Sequence, residues 1–178
     1  QLRTNFQRHI KLSQSRETGK QSASQAPTYI VWPETALAYF HLKDENTRQQ
    51  IRNMLQSYPG ETYLVSGALL RHKHEEESRA HFANAIIIMN KQGRIIHRYY
   101  KSHLVPFGEY IPYKDWIWLQ PVTEFNNLFA GDAPSPLSTD DHNKFLPLIC
   151  YEVIFPELVM SNAGRANWLI NVTNDAWY

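Results

Sequence analysis

Short apolar runs of strand length alternate along this chain with stretches in which apolar residues recur every three or four positions. Ile51, Met54, Leu55 and Tyr58 fall at i, i+3, i+4 and i+7, the spacing that lines one face of a helix. The pattern predicts a helix from Asp44 to Tyr58, with Asp44 as its N-cap and Pro59-Gly60 as its stop. Leu2, Phe6 and Ile10 mark a shorter amphipathic helix near the start, followed by a polar, low-complexity loop over 13–27. Strands are expected at 28–32, 63–70, 82–89, 94–100, 145–150 and 167–173, and a second helix at 155–163. Asn90-Lys-Gln-Gly93 between two of the strands is a hairpin signal, and 71–79 reads as a charged tip. Helices alternating with β-branched strands argue for a layered α+β (α/β) fold.

The 43 residues from Ser102 to Lys144 form a long excursion rich in proline and aromatic residues. Long stretches without regular structure inside compact domains are usually functional. Within this one, Trp116 and Trp118 are the core of a run with Ile117, Leu119, Val122, Phe125, Leu128 and Phe129. The run reads either as a helix packed on the core or as a lid dipping into a membrane interface, where Trp and Tyr are favoured. Lys114 and Asp115, which break the apolar run, would then face phospholipid headgroups.

The length of 178 residues suits one domain, and an apolar share of 43% supports a core. A net charge of +1, without a basic stripe or RNA-binding signature, gives no argument for nucleic acid. Uninterrupted apolar runs reach five residues, as from Ala85 to Met89, far short of the roughly 20 needed to span a bilayer. No cofactor motif is present. His72 and His74, beside Glu75, Glu76 and Glu77, read as solvated hairpin-tip residues rather than a metal site.

Cys150 is the single cysteine, so it forms no intrachain disulfide. It is either a small buried apolar residue or a nucleophile. Glu34 follows the apolar strand at 28–32, and Lys101 follows the strand ending at Tyr100. A carboxylate, an ammonium and a thiol, each past a strand end, can converge on one rim of a sheet. A thiol of ordinary pKa near 8.5 needs a neighbouring base or cation to become a nucleophile at neutral pH. Glu34 could accept the thiol proton, and Lys101 with the N–H of Tyr151 could face an oxyanion. His103 is set aside as a protease-type base because no cysteine-protease signature surrounds Cys150. Asn84 and Asn90 are read as strand-end and turn residues.

Four segments carry a resemblance: Trp32-Pro33-Glu34-Thr35-Ala36, Tyr100-Lys101-Ser-His-Leu-Val-Pro-Phe-Gly-Glu-Tyr-Ile-Pro112, Ile149-Cys150-Tyr151-Glu152 and Asn171-Val-Thr-Asn-Asp-Ala-Trp177. They resemble the nitrilase (carbon-nitrogen hydrolase) superfamily and, more narrowly, its apolipoprotein N-acyltransferase branch. The resemblance covers the chain from about residue 28 onward. It implies an αββα sandwich, incomplete at both ends here. Residues 1–178 would be part of a catalytic domain, with a membrane-spanning portion before it and further strands and a helix after it.

The implied activity is two-step acyl transfer through a Cys150 thioester. The partners implied are a phospholipid acyl donor, the N-terminal amine of an S-diacylglyceryl-cysteine lipoprotein, and the membrane surface. The implied place is the bacterial inner membrane, with the catalytic domain facing the periplasm. Carried over by position, Glu34 is the base, Lys101 the oxyanion stabiliser and Cys150 the nucleophile. Glu109 would orient the lysine or substrate, and Tyr151 and Glu152 match positions needed near the nucleophile. No cofactor or metal is implied. The competing readings are a soluble amidase, in which water resolves the thioester, and an inactive fragment with only structural or binding properties.

Overall fold

A computed structural model describes residues 2–15, 26–72, 81–106, 109, 128–139 and 143–174. Trp116, Trp118 and the rest of 110–127 lie outside the described residues. So do 16–25, the hairpin tip 73–80 with His74 and its three glutamates, and the closing residues 175–178.

The elements run α1 (Leu2–Gln14), β1 (Thr28–Ala38), α2 (Tyr39–Lys43), α3 (Glu45–Gln56), β2 (Thr62–His72), β3 (His81–Met89) and β4 (Ile95–Tyr100). They continue through β5 (Leu137–Ser138), β6 (Lys144–Ile149), a 3₁₀ turn (Cys150–Ile154), α4 (Pro156–Ala163) and β7 (Trp168–Val172). Every expected helix and strand is present. The short helix α2 and the two-residue strand β5 were not foreseen. Asp44 caps α3 as expected, its carboxylate accepting from the backbone N–H of Thr47 at 3.0 Å.

Two sheets form. The first has the order β1-β2-β3-β4, with β1 parallel to β2 and the other pairs antiparallel. The second has the order β5-β6-β7, with β6 and β7 parallel. The two-residue alternation of a strand divides the core into two layers. Leu64, Ala68, Leu70, Ala85, Ile87 and Met89 pack under Phe6, Ile10, Ile51, Met54 and Leu55 of the helices. Tyr63, Val65, Ile86, Ile88 and Tyr99 meet Phe145, Ile149, Ile170 and Val172 of the second sheet. The layer order among these elements is helices, sheet, sheet, the layered arrangement the sequence predicts.

The sequence places Glu34 after a strand that ends at residue 32; the strand in fact continues through it. Register passes from Trp32 opposite Ser66 to Leu37 opposite Ala68, so residues 33–36 bulge out against Gly67 alone. Thr35 takes a left-handed φ of 52° inside this bulge. Pro33 has no N–H to give to a ladder, which suits a position where pairing breaks. The two strands approach so closely that a Cβ on Gly67 would sit 2.4 Å from the Glu34 Cα and 2.4 Å from the Pro33 carbonyl oxygen. Glycine is therefore required at 67 for the bulge that turns Glu34 inward.

Gly67→Ala is expected to destabilise the fold by about 3 kcal/mol or more, because the clash is with main chain that cannot rotate aside. Chemical denaturation of the variant beside the unsubstituted protein measures this, and an unchanged midpoint would show that the close approach is not needed.

Candidate active site

Lys101 follows β4 directly and is 1% exposed, although it carries an ammonium at the end of a flexible stem. Such a charge is held inside a protein only with a partner. Its Nζ donates to the Glu109 carboxylate at 2.8 Å. Glu109 is fixed in turn by the backbone N–H of Val105, which donates to its other oxygen at 2.8 Å. The Lys101 main chain is pinned on both sides: its N–H donates to the Asn84 carbonyl and its own carbonyl accepts from Gly131.

Glu34 is buried beside this pair. Its Oε1 accepts from the side-chain amide of Asn84 at 2.7 Å, and its Oε2 from the backbone N–H of Asn174 at 3.1 Å. The same Asn84 nitrogen donates to Glu109 at 3.3 Å. Burial pushes the Glu34 carboxyl above the ordinary carboxylate range, and the Asn84 hydrogen bond and the Lys101 charge hold it down only in part. A carboxylate raised in this way is better suited to accept a proton near neutral pH than an exposed one.

Cys150 opens the 3₁₀ turn after β6 with a left-handed φ of 52°. For a residue with a Cβ this conformation is costly and is kept only where the surroundings impose it. Two anchors do so. Glu152, fully buried, accepts from the Ile149 N–H across the turn at 2.9 Å. Its other oxygen accepts from the Tyr99 hydroxyl (2.8 Å), the Ser102 N–H (2.8 Å), the Ser102 hydroxyl (2.9 Å) and the His103 N–H (3.0 Å). Burial and the adjacent Glu152 carboxylate push the Tyr99 phenol upward, so it remains a donor. The second anchor is Asn171 of β7, whose amide donates to the Cys150 carbonyl at 3.3 Å.

The strand ends are thus tied together in both directions. Glu152 joins the cysteine turn to the residues immediately after Lys101. On the other side, the segment after β7, neighbour of β6, reaches Glu34: the Glu34 N–H donates to the Thr173 carbonyl at 3.4 Å, and Asn174 returns a bond to the carboxylate. Glu34, Lys101 and Glu109 are linked by direct bonds through Asn84. Cys150 ends the facing sheet, its turn tied through Glu152 to Ser102 and His103 just after Lys101, and Tyr151 next to it is exposed. Among the described residues, no group of three or more His, Cys, Asp or Glu side chains is placed to hold a metal ion. None of the helices described is long and apolar enough to cross a membrane.

The sequence reading missed Asn84, taken there as a strand-end residue; it lies within β3 and is buried. An amide inside the apolar stretch Phe82-Ala-Asn-Ala-Ile-Ile-Ile-Met89 is the signal that could have exposed it. Tyr99 and Ser102, the partners of Glu152, were missed too, and no local pattern marks them.

Comparison with known proteins bears on the family and the fold. The family model described as carbon-nitrogen hydrolase matches residues 1–178. The chain is 39% identical over 156 residues to an apolipoprotein N-acyltransferase of Brucella suis, covering 85% of this chain and 29% of that protein. It is 34% identical over 177 residues to one of Rhizobium leguminosarum bv. trifolii, covering 97% of this chain and 32% of that protein. The chain therefore spans about a third of the length of these curated relatives. Among solved structures, a carbon-nitrogen hydrolase of Helicobacter pylori superimposes with a TM-score of 0.62 at 17% identity, covering 97% of this chain and 55% of that one. An amidase of Nesterenkonia sp. AN1, with acrylamide added to its active-site cysteine, gives 0.56 at 16% identity, covering 98% and 63%. These likenesses establish a nitrilase-type fold.

Glu152→Gln places an amide NH₂ where one of the carboxylate oxygens accepts hydrogen bonds, so at least one donor faces another donor. A loss of about 1–3 kcal/mol is expected, read by thermal unfolding. Slower alkylation of Cys150 should accompany it, since the turn is then less firmly held.

Proposed function

The chain belongs to the carbon-nitrogen hydrolase family, and on that footing we propose that it is the catalytic part of an apolipoprotein N-acyltransferase working through Glu34, Lys101 and Cys150. The observation that carries this reading is the buried Glu34–Asn84–Glu109–Lys101 chain of bonds, together with a left-handed cysteine turn that Glu152 ties to the residues after Lys101. The acyl-transfer assignment rests on the names of the curated relatives.

In the first step Glu34 takes the Cys150 proton and the thiolate attacks an ester carbonyl of a phospholipid. Lys101, oriented by Glu109, and the N–H of Tyr151 stabilise the oxyanion that develops. Collapse breaks the ester bond, and Glu34 returns the proton to the leaving alkoxide, so a lysophospholipid departs and a Cys150 thioester remains. In the second step the amine of an S-diacylglyceryl cysteine attacks the thioester. Glu34 accepts the amine's proton, the C–S bond breaks, and Glu34 passes that proton to the departing thiolate, so the amide leaves with the Cys150 thiol and the Glu34 carboxylate restored.

Apolar side chains exposed around the nucleophile turn support a lipid donor: Tyr151, Val153, Ile154 and Met160, the last 75% exposed. Trp116 and Trp118 are assigned to lipid contact on sequence alone. The catalytic face is placed at the periplasmic side of a bacterial inner membrane. The second reading is an amidase, favoured by the solved Nesterenkonia neighbour, in which water resolves the thioester.

Incubating the full-length protein in detergent with a phospholipid carrying a labelled acyl chain should leave label on Cys150, detected by mass spectrometry and released by hydroxylamine. Cys150→Ala should carry none. Glu34→Gln should form it about 10²–10⁴ more slowly and Lys101→Ala about 10²–10³ more slowly. Folded protein that takes no label from phospholipid, but hydrolyses simple amides at Cys150, would replace this reading with the amidase.

Adduct formation should also depend on pH in a set direction. Glu34 must be ionised to accept the thiol proton, and its carboxyl is raised by burial. The acid limb of the rate profile is therefore expected above the range of an ordinary glutamate. A limb at or below that range would remove Glu34 as the base.

A further inference from the structure

The proposed mechanism uses two carboxylates, yet nothing in it explains why they stay side by side. Glu34 comes from the bulge of β1 and Glu109 from the segment beyond β4. Both are ionisable, both are mostly buried, and the Glu109 charge raises the cost of ionising Glu34. One side chain stands between them. The Asn84 nitrogen carries two hydrogens, and each goes to a different carboxylate: 2.7 Å to Glu34 and 3.3 Å to Glu109. Lys101 binds the same Glu109 oxygen, so the ammonium balances one carboxylate charge while the amide hydrogen-bonds both carboxylates.

We propose that Asn84 is a positioning residue for the reaction: its amide clamps Glu34 and Glu109 together and keeps Glu34 able to accept the thiol proton.

The geometry excludes the common alternatives for this position. A serine has one hydrogen to give, an aspartate would add a third negative charge, and a lysine would compete with Lys101 for Glu109. The amide orientation is settled by its partners, because a reversed amide would set Oδ1 against two carboxylate oxygens. In the observed orientation Oδ1 is buried with no hydrogen-bond partner among the described residues. An unmatched buried acceptor costs stability, so the residue is kept for its N–H side. The main chain holds it in place, since the Lys101 N–H donates to the Asn84 carbonyl at 2.8 Å. The charged groups acting on Glu34 are Lys101 and Glu109; the other donors are the Asn84 amide and the Asn174 N–H.

This inference rests on Glu34 acting as the base, and two readouts separate its failure from that of the acyltransferase reading. Full-length Asn84→Asp and Asn84→Ser are compared with the unsubstituted protein in detergent. The first readout is labelled acyl adduct at Cys150 and the second is acrylamide alkylation of Cys150, each followed against pH. In Asn84→Asp the acid limb of both profiles should move up by about one pH unit, with Asn84→Ser in between. Loss of a merely structural contact would lower the amplitude and leave the limb where it was.

Limbs that coincide with the unsubstituted protein's in either folded variant overturn the clamp, whether or not acyl adduct forms. A moved alkylation limb in protein that never takes acyl label keeps the clamp and removes the phospholipid reading. Should Asn84→Asp not fold, Asn84→Ser alone decides, with an upward shift of about half a unit expected.

Discussion

A lysine ammonium sealed from solvent at the end of β4 is the constraint around which the rest of the site is arranged. Taking such a charge out of water costs several kcal/mol unless partners replace its hydration. Glu109 supplies the opposite charge, and Val105 holds Glu109 in place with a backbone bond. A buried acid beside a buried base then needs its remaining lone pairs occupied, which brings in Asn84, and Asn84 reaches on to Glu34. Each residue in this series solves the solvation problem left by the one before. The result is a polar core in which the Glu34 carboxyl and the Lys101 ammonium are held in fixed positions. Such fixed dipoles and charges act on a developing oxyanion without reorganisation at the moment of reaction.

Cys150 is held by a separate device. Glu152 gathers five hydrogen bonds, four of them from Tyr99, Ser102 and His103 and one from Ile149. It does for the strained Cys150 turn what Gly67 does for the bulge at Glu34. One supplies attachment, the other supplies room. Both devices sit where the two sheets meet, and the apolar layer of Ile86, Ile88, Phe145 and Ile149 sets the distance between those sheets. Core packing therefore sets how the acid, the cation and the cysteine stand relative to one another, although none of the packing residues is polar.

The chain and its relatives differ in extent, and this bears on how the site is understood. Superposition on carbon-nitrogen hydrolases accounts for the layers and the strand ends. Identity of 39% and 34% to proteins named apolipoprotein N-acyltransferase accounts for the wording of the segments around Glu34, Lys101 and Cys150. The two proposed readings differ in what would attack a thioester: an amine or water.

By itself the sequence determined the elements and named the candidate reacting groups. Helical spacing at Ile51, Met54 and Leu55 marks α3, two-residue alternation marks the strands, and each is a local property that survives without knowledge of the fold. Glu34, Lys101, Glu109, Cys150 and Glu152 were legible for a different reason: each lies in a segment whose wording resembles a known family. Only the tertiary structure decided what holds them. Asn84 acts across 50 positions to Glu34, and Tyr99 across 53 to Glu152. The bulge at 33–36 exists because Gly67 lies opposite it. None of these leaves a periodic trace, because a hydrogen bond between distant strands requires only the right donor at one place, and that place is fixed by how the two sheets pack.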